Sequence, residues 1–202
     1  MDIQSAISQV SSGKNLTKDD MSEIILEILE GKVTDAQIGA FLIALSMKGE
    51  TVDEVIGAVS VMRDLSTKVE INAPNLIDTC GTGGTGIGIF NVSTTSAFIA
   101  SSCGAKIAKH GNRSATRKSG SADLLEQAGV SLSLTPEQVA SCIEEVGLGF
   151  MFAQAHHSAM RHVVGPRKEI GQKSIFNVLG PLTNPASATR QVLGVYDKKW
   201  MT

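Results

Sequence analysis

Two polar stretches punctuated by glycine flank a short apolar segment, and they carry the residue types that hold phosphate. The first reads Asp78-Thr-Cys-Gly-Thr-Gly-Gly-Thr-Gly86, followed by Phe90-Asn-Val-Ser-Thr-Thr95. Gly81, Gly83, Gly84 and Gly86 have no Cβ, so backbone N–H groups there can approach an anion closely. The second reads Lys109-His-Gly-Asn-Arg-Ser-Ala-Thr-Arg-Lys-Ser-Gly-Ser-Ala-Asp123. It supplies charge: Lys106, Lys109, Arg113, Arg117 and Lys118 fall within thirteen residues with no acid among them. Cations so close repel one another unless an anion sits between them.

Each feature also has an ordinary reading. Gly81-Thr-Gly-Gly84 matches neither G-x-G-x-x-G nor the P-loop, and a glycine turn after a strand is commonly only a turn. Ser93, Thr94, Thr95 and Ser96 either open a helix whose free N–H groups favour an anion, or act as simple caps. The Lys109–Arg113 run is either a solvated basic turn or one wall of a site. His110 lacks a partner at metal-ligand spacing, and His156-His157 reads as a pair at a helix N-terminus. Arg167, stiffened by Pro166, is either a surface arginine or a two-pronged grip for a planar carboxylate. Cys80 reads as a small buried residue rather than a nucleophile.

These stretches need elements to position them. Met21, Ile24, Ile25, Ile28 and Leu29 recur at helical spacing after Thr17, and Gly31 closes that segment. Thr34-Asp-Ala-Gln37 and Thr51-Val-Asp-Glu54 are capping boxes. The first leads Ile38, Phe41, Leu42 and Leu45; the second leads Val52, Val55, Ile56, Val59 and Met62. Three short amphipathic helices with short connections make a small bundle. After Pro74 the pattern changes. Strands are predicted at Leu76–Cys80, Ala105–Lys109, Phe150–Phe152 and Arg190–Tyr196. Helices are predicted over 93–103, about 120–128 and from Thr135-Pro-Glu-Gln138, the last with Pro at the first helical position. Strands alternating with helices predict a largely parallel sheet whose ligand loops lie at the strands' carboxyl ends, where both glycine-rich stretches fall.

The chain has 202 residues and a net charge of 18 − 20 = −2, which removes any global electrostatic reason to expect a nucleic-acid partner. Three scattered cysteines, Cys80, Cys103 and Cys142, argue for reduced thiols in the cytoplasm rather than a disulfide frame or zinc site. Residues 79–105 carry no charge, yet their Gly, Ser, Thr and Asn content opposes a membrane span. The N-terminus lacks the basic region of a signal peptide. An α/β sheet that ends one strand after a turn, at Lys-Lys-Trp-Met-Thr202, reads as incomplete.

Taken in order, Gly81-Thr-Gly-Gly, Asn91-Val-Ser-Thr, Lys109-His-Gly-Asn-Arg, Ser119-Gly-Ser-Ala-Asp, Pro166-Arg-Lys and Phe176-Asn-Val-Leu-Gly-Pro-Leu-Thr-Asn-Pro resemble anthranilate phosphoribosyltransferase along the whole chain. The resemblance implies a helical domain over 1–70, joined by a helical segment at about 168–188, and an α/β domain over 71–202 of the nucleoside phosphorylase/phosphoribosyltransferase type. It implies a cytoplasmic homodimer formed through the helical part. The implied reaction is attack of the anthranilate amine on C1 of phosphoribosyl pyrophosphate (PRPP), releasing pyrophosphate in tryptophan biosynthesis.

By position, the resemblance assigns PRPP to Gly81, Gly84, Thr85, Ile89, Asn91, Val92, Ser93 and Thr94 of the first stretch. From the second it adds Lys109, His110, Gly111, Asn112, Arg113, Ser114, Ala115, Thr116 and Arg117, with Ser121. Gly81, His110, Asn112 and Arg167 would line the anthranilate path, Arg167 taking the carboxylate. Ser93 would touch Mg²⁺, the implied cofactor. No residue is implied as a covalent or acid–base catalyst; Lys109 and His110 are supportive, and positioning is the mechanism.

Two departures stand out. The family places Asp where this chain has Thr85, and commonly Thr where it has Ile89. Loss of that carboxylate predicts altered PRPP or metal binding, so Thr85→Asp should change the KM for PRPP or its Mg²⁺ dependence. The family's metal-binding Asp-Glu pair falls beyond Thr202, so 202 residues alone are expected to show weak or no catalysis. Two other readings are a pyrimidine nucleoside phosphorylase, whose pattern after the Lys-His pair differs, and a nucleic-acid-binding relative without transferase activity. Phosphorolysis of thymidine and salt-dependent binding of single-stranded DNA discriminate them.

Overall fold

The computed structural model describes residues 1–83, 90–114 and 119–201. The chain divides into two compact units, Met1–Leu65 with His157–Leu182, and Ser66–His156 with Thr183–Thr202.

The first unit is a helical bundle. It contains α1 (Ile3–Ser11), α2 (Lys18–Leu29), α3 (Asp35–Lys48) and α4 (Val52–Asp64). Its second stretch adds α9 (Arg161–Ile170) and α10 (Phe176–Leu182). Thr17 caps α2, and Thr34 with Gln37 and Thr51 with Glu54 close capping boxes on α3 and α4. Each box satisfies N–H groups that have no intrahelical partner. The bundle core joins Met21, Ile24, Ile25, Ile28, Ile38, Phe41, Leu42 and Leu45 to Val163, Ile175, Phe176 and Leu179.

Three expectations for this unit need correction. The first helix, α1, was not among the three predicted, although Asp2 caps it and it buries Ile3, Ala6 and Val10. The helical segment expected at about 168–188 consists instead of α9 and α10, beginning at Arg161 and ending at Leu182. The buried face of α4 is Glu54, Gly57, Ala58, Val61 and Met62, whereas Val52 is 69% exposed and Ile56 43%. The reason is Gly57. A Cβ there would collide with the Lys18 carbonyl oxygen, so glycine lets α4 lie close on α2 and turns that face inward.

The second unit is a four-stranded, all-parallel sheet in the order β3-β2-β1-β4, formed by β1 (Ile77–Gly81), β2 (Ile107–Gly111), β3 (Leu148–Phe152) and β4 (Arg190–Gly194). Parallel neighbours require crossovers. Helix α5 (Val92–Ser102) links β1 to β2, and α6 (Ser121–Gln127) and α7 (Pro136–Glu145) link β2 to β3. Thr135 and Gln138 box the start of α7, with Pro136 in its first turn. The buried core here is Val69, Leu76, Ala108, Val139, Ile143, Met151 and Ala186. From β1 the chain moves outward to β2 and β3, then returns to the other side of β1 at β4. That reversal places a topological switch point beside β1, where open α/β sheets bind ligands at strand carboxyl ends. After β3, a short helix α8 (Ala153–His156) follows. His156 thus ends a helix rather than beginning one, and its Nδ1 lies 2.8 Å from the Thr67 carbonyl oxygen.

Candidate functional site

Arg167 apart, the described residues expected at the site belong to the ends of β1 and β2, the turns after them and the helices that follow. Asp78 on β1 is wholly buried. It accepts the backbone N–H of His110 at 3.2 Å and the side-chain amide of Gln191 at 3.2 Å. These bonds tie β2 and β4 to the central strand through one carboxylate.

Lys109 lies on β2, at the position where the predicted strand ends, and pairing with β3 carries the strand on to Gly111, opposite Phe152. His110 and Gly111 are therefore strand residues rather than part of a basic turn, and Lys109 is 1% exposed. Its ammonium donates to the Thr79 carbonyl at 2.5 Å and to Ser93 Oγ at 3.2 Å. Burial pushes its pKa below the ordinary lysine value, while the Asp78 charge opposes that shift. A buried cation is costly unless paired, and here it reaches the first turn of α5.

That first turn is open to an acceptor. Asn91, at the cap position, makes no capping bond. Its side-chain amide instead donates to Ser119 Oγ at 3.2 Å and to the Gly120 carbonyl at 3.3 Å. Ser93 Oγ is engaged by Lys109, and Thr94 donates to Ser121 Oγ at 3.0 Å. The hydroxyls are therefore not the caps that the alternative reading supposed. The α5 N-terminus keeps its dipole, and beyond Val92, whose N–H goes to the Phe90 carbonyl, its early N–H groups are available for an anion.

The remaining cations are also placed differently. Lys106 donates to the Glu144 carbonyl oxygen at 2.7 Å, near the end of α7. Arg113 binds Glu126 through both terminal nitrogens, at 2.7 and 2.8 Å, and Asp123 at 3.1 Å. It also lies over the Phe152 ring at 5.7 Å. Acids distant in sequence thus neutralise Arg113, which removes it from the argument that this run needs an anion to relieve repulsion. Asn112 accepts the Arg113 N–H on its side chain at 2.8 Å and the Ala122 N–H on its carbonyl at 3.3 Å. Sequence reasoning missed Asp123 and Glu126 as organisers of this loop. The Gly120-to-Asp123 spacing, at which an acid in the first helical turn accepts the N–H of the cap residue, is the signal that could have found Asp123.

Gly84, Thr85, Ile89, Ala115, Thr116 and Arg117 lie outside the described residues. Gly81 abuts the Gly194 carbonyl oxygen, 3.2 Å from where a Cβ would stand, and Gly111 similarly abuts the Phe150 ring at 2.9 Å. Val92 donates its N–H to the Phe90 carbonyl at 2.8 Å. Ser114 donates its N–H to Asp123 at 3.0 Å.

Arg167 belongs to α9 of the helical unit. Its guanidinium stacks over the Phe176 ring at 5.5 Å, and burial lowers its pKa. Burial and the nearby Asp78 charge push the thiol of half-buried Cys80 well up, which suits an inert residue.

For Mg²⁺, the described residues contain no group of three or more His, Cys, Asp or Glu able to hold a metal. Ser93 Oγ is one neutral oxygen beside the Lys109 ammonium. Such a donor fits an ion that arrives with most of its ligands from phosphate and water, as Mg²⁺ does, and not a site made by protein alone. No helix of the described residues is long and apolar enough to cross a membrane.

Known proteins share this arrangement. Residues 73–202 match the glycosyl transferase family, a/b domain, and residues 4–66 match the glycosyl transferase family, helical bundle domain. A relative from Thioalkalivibrio sulfidiphilus named anthranilate phosphoribosyltransferase is 57% identical over 201 residues, covering 100% of this chain and 60% of that protein. The solved anthranilate phosphoribosyltransferase (TrpD) of Thermus thermophilus superposes with a TM-score of 0.91 at 42% identity, over 96% of this chain and 59% of that one. The Saccharomyces cerevisiae enzyme in complex with PRPP and Mg gives a TM-score of 0.89 at 30% identity, over 98% of this chain and 59% of that one. The chain spans about 60% of the length of the curated relatives it matches. Matched by both of its domain types in order, the chain belongs to the glycosyl transferase family with a helical bundle and an α/β domain.

Proposed function

We propose that the chain binds PRPP across the loops that follow β1 and β2, in a protein that transfers the phosphoribosyl group to the amine of anthranilate. The observation that carries this reading is Lys109: a buried ammonium held by Thr79 and Ser93 at the open N-terminus of α5. A buried cation beside unfilled helical N–H groups is an arrangement that a diphosphate stabilises. The names of the relatives and the PRPP bound to the yeast enzyme support the choice of ligand.

The reaction breaks the C1–O bond to pyrophosphate and forms a C1–N bond to the aromatic amine, which then loses a proton. Lys109 and the first-turn N–H groups of α5 would neutralise the charge that grows on the departing oxygen. Mg²⁺ bound with the diphosphate would supply further neutralisation, with Ser93 Oγ as one ligand. The amine already carries a free lone pair, so holding two substrates in line provides much of the acceleration.

Asn91, Val92, Thr94, His110, Gly111, Asn112, Ser114 and Ser121 complete the proposed PRPP wall, with Gly81 shared by both substrates. Arg113 enters only by its loop position, its guanidinium being held by Glu126 and Asp123. Arg167 is proposed for the anthranilate carboxylate on side-chain chemistry and motif alone. A cytoplasmic homodimer without a nucleic-acid partner completes the reading. Titration of the 202-residue chain with PRPP and Mg²⁺, followed by an assay of phosphoribosyl anthranilate fluorescence, tests it. Saturable PRPP binding is expected; binding of thymidine or single-stranded DNA in its place would overturn it.

A further inference from the structure

We propose that Asp123 is a positioning residue for the second anion-binding stretch, holding its residues 112–114 against residues 119–121, the two sides of a neck. The inference rests on the proposed function, since it concerns the same site. Asp123 stands in the first turn of α6. One carboxylate oxygen, Oδ2, accepts the backbone N–H of Ser114 at 3.0 Å and that of Gly120 at 2.7 Å. The other, Oδ1, accepts from Arg113 at 3.1 Å. The two N–H donors are six residues apart in sequence, so a single carboxylate ties Ser114 to Gly120.

Three further observations bear on that tie. The chain of residues 112–114 passes so near Gly120 that a Cβ there would stand 2.7 Å from the Arg113 carbonyl carbon and 2.8 Å from the Asn112 carbonyl oxygen. The Ala122 N–H donates to the Asn112 carbonyl at 3.3 Å. Finally, Asn91 donates to Ser119 and Gly120, and Thr94 donates to Ser121, so the neck is fastened to the first turn of α5. Asp123 thus sits where the two glycine-rich stretches are joined. It is assigned no contact with substrate; it acts through the backbone of Ser114 and Gly120. The Gly120 N–H is the largest cause of its lowered pKa and the Ser114 N–H the next, which agrees with an ionised carboxylate whose acceptor capacity is in use.

The test is calorimetric titration of the 202-residue wild-type chain and three variants with PRPP and Mg²⁺. Asp123→Ala should weaken binding roughly tenfold or more, because two charge-assisted bonds to the neck are lost. Asp123→Asn retains an oxygen able to accept both N–H groups and should stay within about threefold of wild type. Gly120→Ala drives the neck apart from its other side and should behave as Asp123→Ala does, which keeps the test open if the latter fails to fold. A folded Asp123→Ala or Gly120→Ala chain that binds as tightly as wild type overturns the inference. So does an Asp123→Asn chain as weak as Asp123→Ala, which would point to charge alone. Failure of the wild type to bind PRPP overturns the proposed function instead. Amide exchange then still decides the neck: faster exchange at Ser114 and Gly120 in Asp123→Asn's alanine counterpart is expected, and unchanged exchange contradicts it.

Discussion

The ammonium of Lys109, on β2, donates to the hydroxyl of Ser93 in the first turn of α5 across 3.2 Å. Lys109 is nearly inaccessible to water, and its second partner is a backbone carbonyl of β1. The sheet therefore supplies a fixed charge to a helix end.

The buried pair at the α3–α4 junction should set much of the bundle's stability. Glu54 accepts the N–H groups of Leu16 and Thr51, each at 2.8 Å, and the Lys48 ammonium at 2.9 Å. Glu54→Ala leaves a buried lysine and two N–H groups without this acceptor and should cost about 3–5 kcal/mol. Glu54→Gln, which keeps one acceptor oxygen, should cost less. Urea denaturation of the two variants checks the order.

Gly57→Ala sets helix propensity against packing. Alanine gains about 1 kcal/mol of propensity over glycine in a helix interior. Its Cβ would meet the Lys18 carbonyl oxygen and come within 3.1 Å of Met21 Cβ. Overpacking costs about 1–3 kcal/mol, and a backbone oxygen yields less than a flexible side chain. Net destabilisation is expected, read as a lower Tm; a raised Tm would contradict the close α2–α4 approach.

Asp123 should make stability depend on acid. Its folded-state pKa lies below the ordinary carboxylate value, first because it accepts the Gly120 N–H and next the Ser114 N–H. A lowered carboxylate pKa contributes stability that is fully present above the unfolded value, about 3.9, and is lost as pH falls through the folded value. Between about pH 5 and pH 3, wild-type stability should decline more steeply than that of Asp123→Asn. Parallel slopes would contradict the assignment.

Cysteine labelling distinguishes an inert thiol from a reactive one. Cys103 is exposed, whereas burial and Asp78 hold the Cys80 thiol far above its usual pKa. Iodoacetamide at mildly alkaline pH should label Cys103 first and Cys80 only after unfolding. Rapid labelling of Cys80 would reopen its reading as a nucleophile.

What could be read from the chain divides by distance along it. The boxes of Thr34 with Gln37, Thr51 with Glu54 and Thr135 with Gln138 were legible because cap and partner are three residues apart. The parallel sheet was legible from strands alternating with helices. Features made by distant partners were not. The strand predicted to end at Lys109 runs on to Gly111 only once the β2–β3 register is known, and Arg113 reads as a free charge until α6 brings Glu126 to it. The inward face of α4 depends on what Gly57 meets, which no periodicity records. Helix α1 carries a local signal too: Asp2 precedes Ile3, Ala6, Ile7 and Val10 at helical spacing.

The most direct measurement compares PRPP binding, with Mg²⁺, by the wild-type chain and by Lys109→Met. Methionine fills similar space without the charge, so the account predicts saturable binding by wild type and affinity about 10–100-fold weaker in the folded variant. Equal affinity in the two chains would contradict the claim that this buried cation holds the diphosphate.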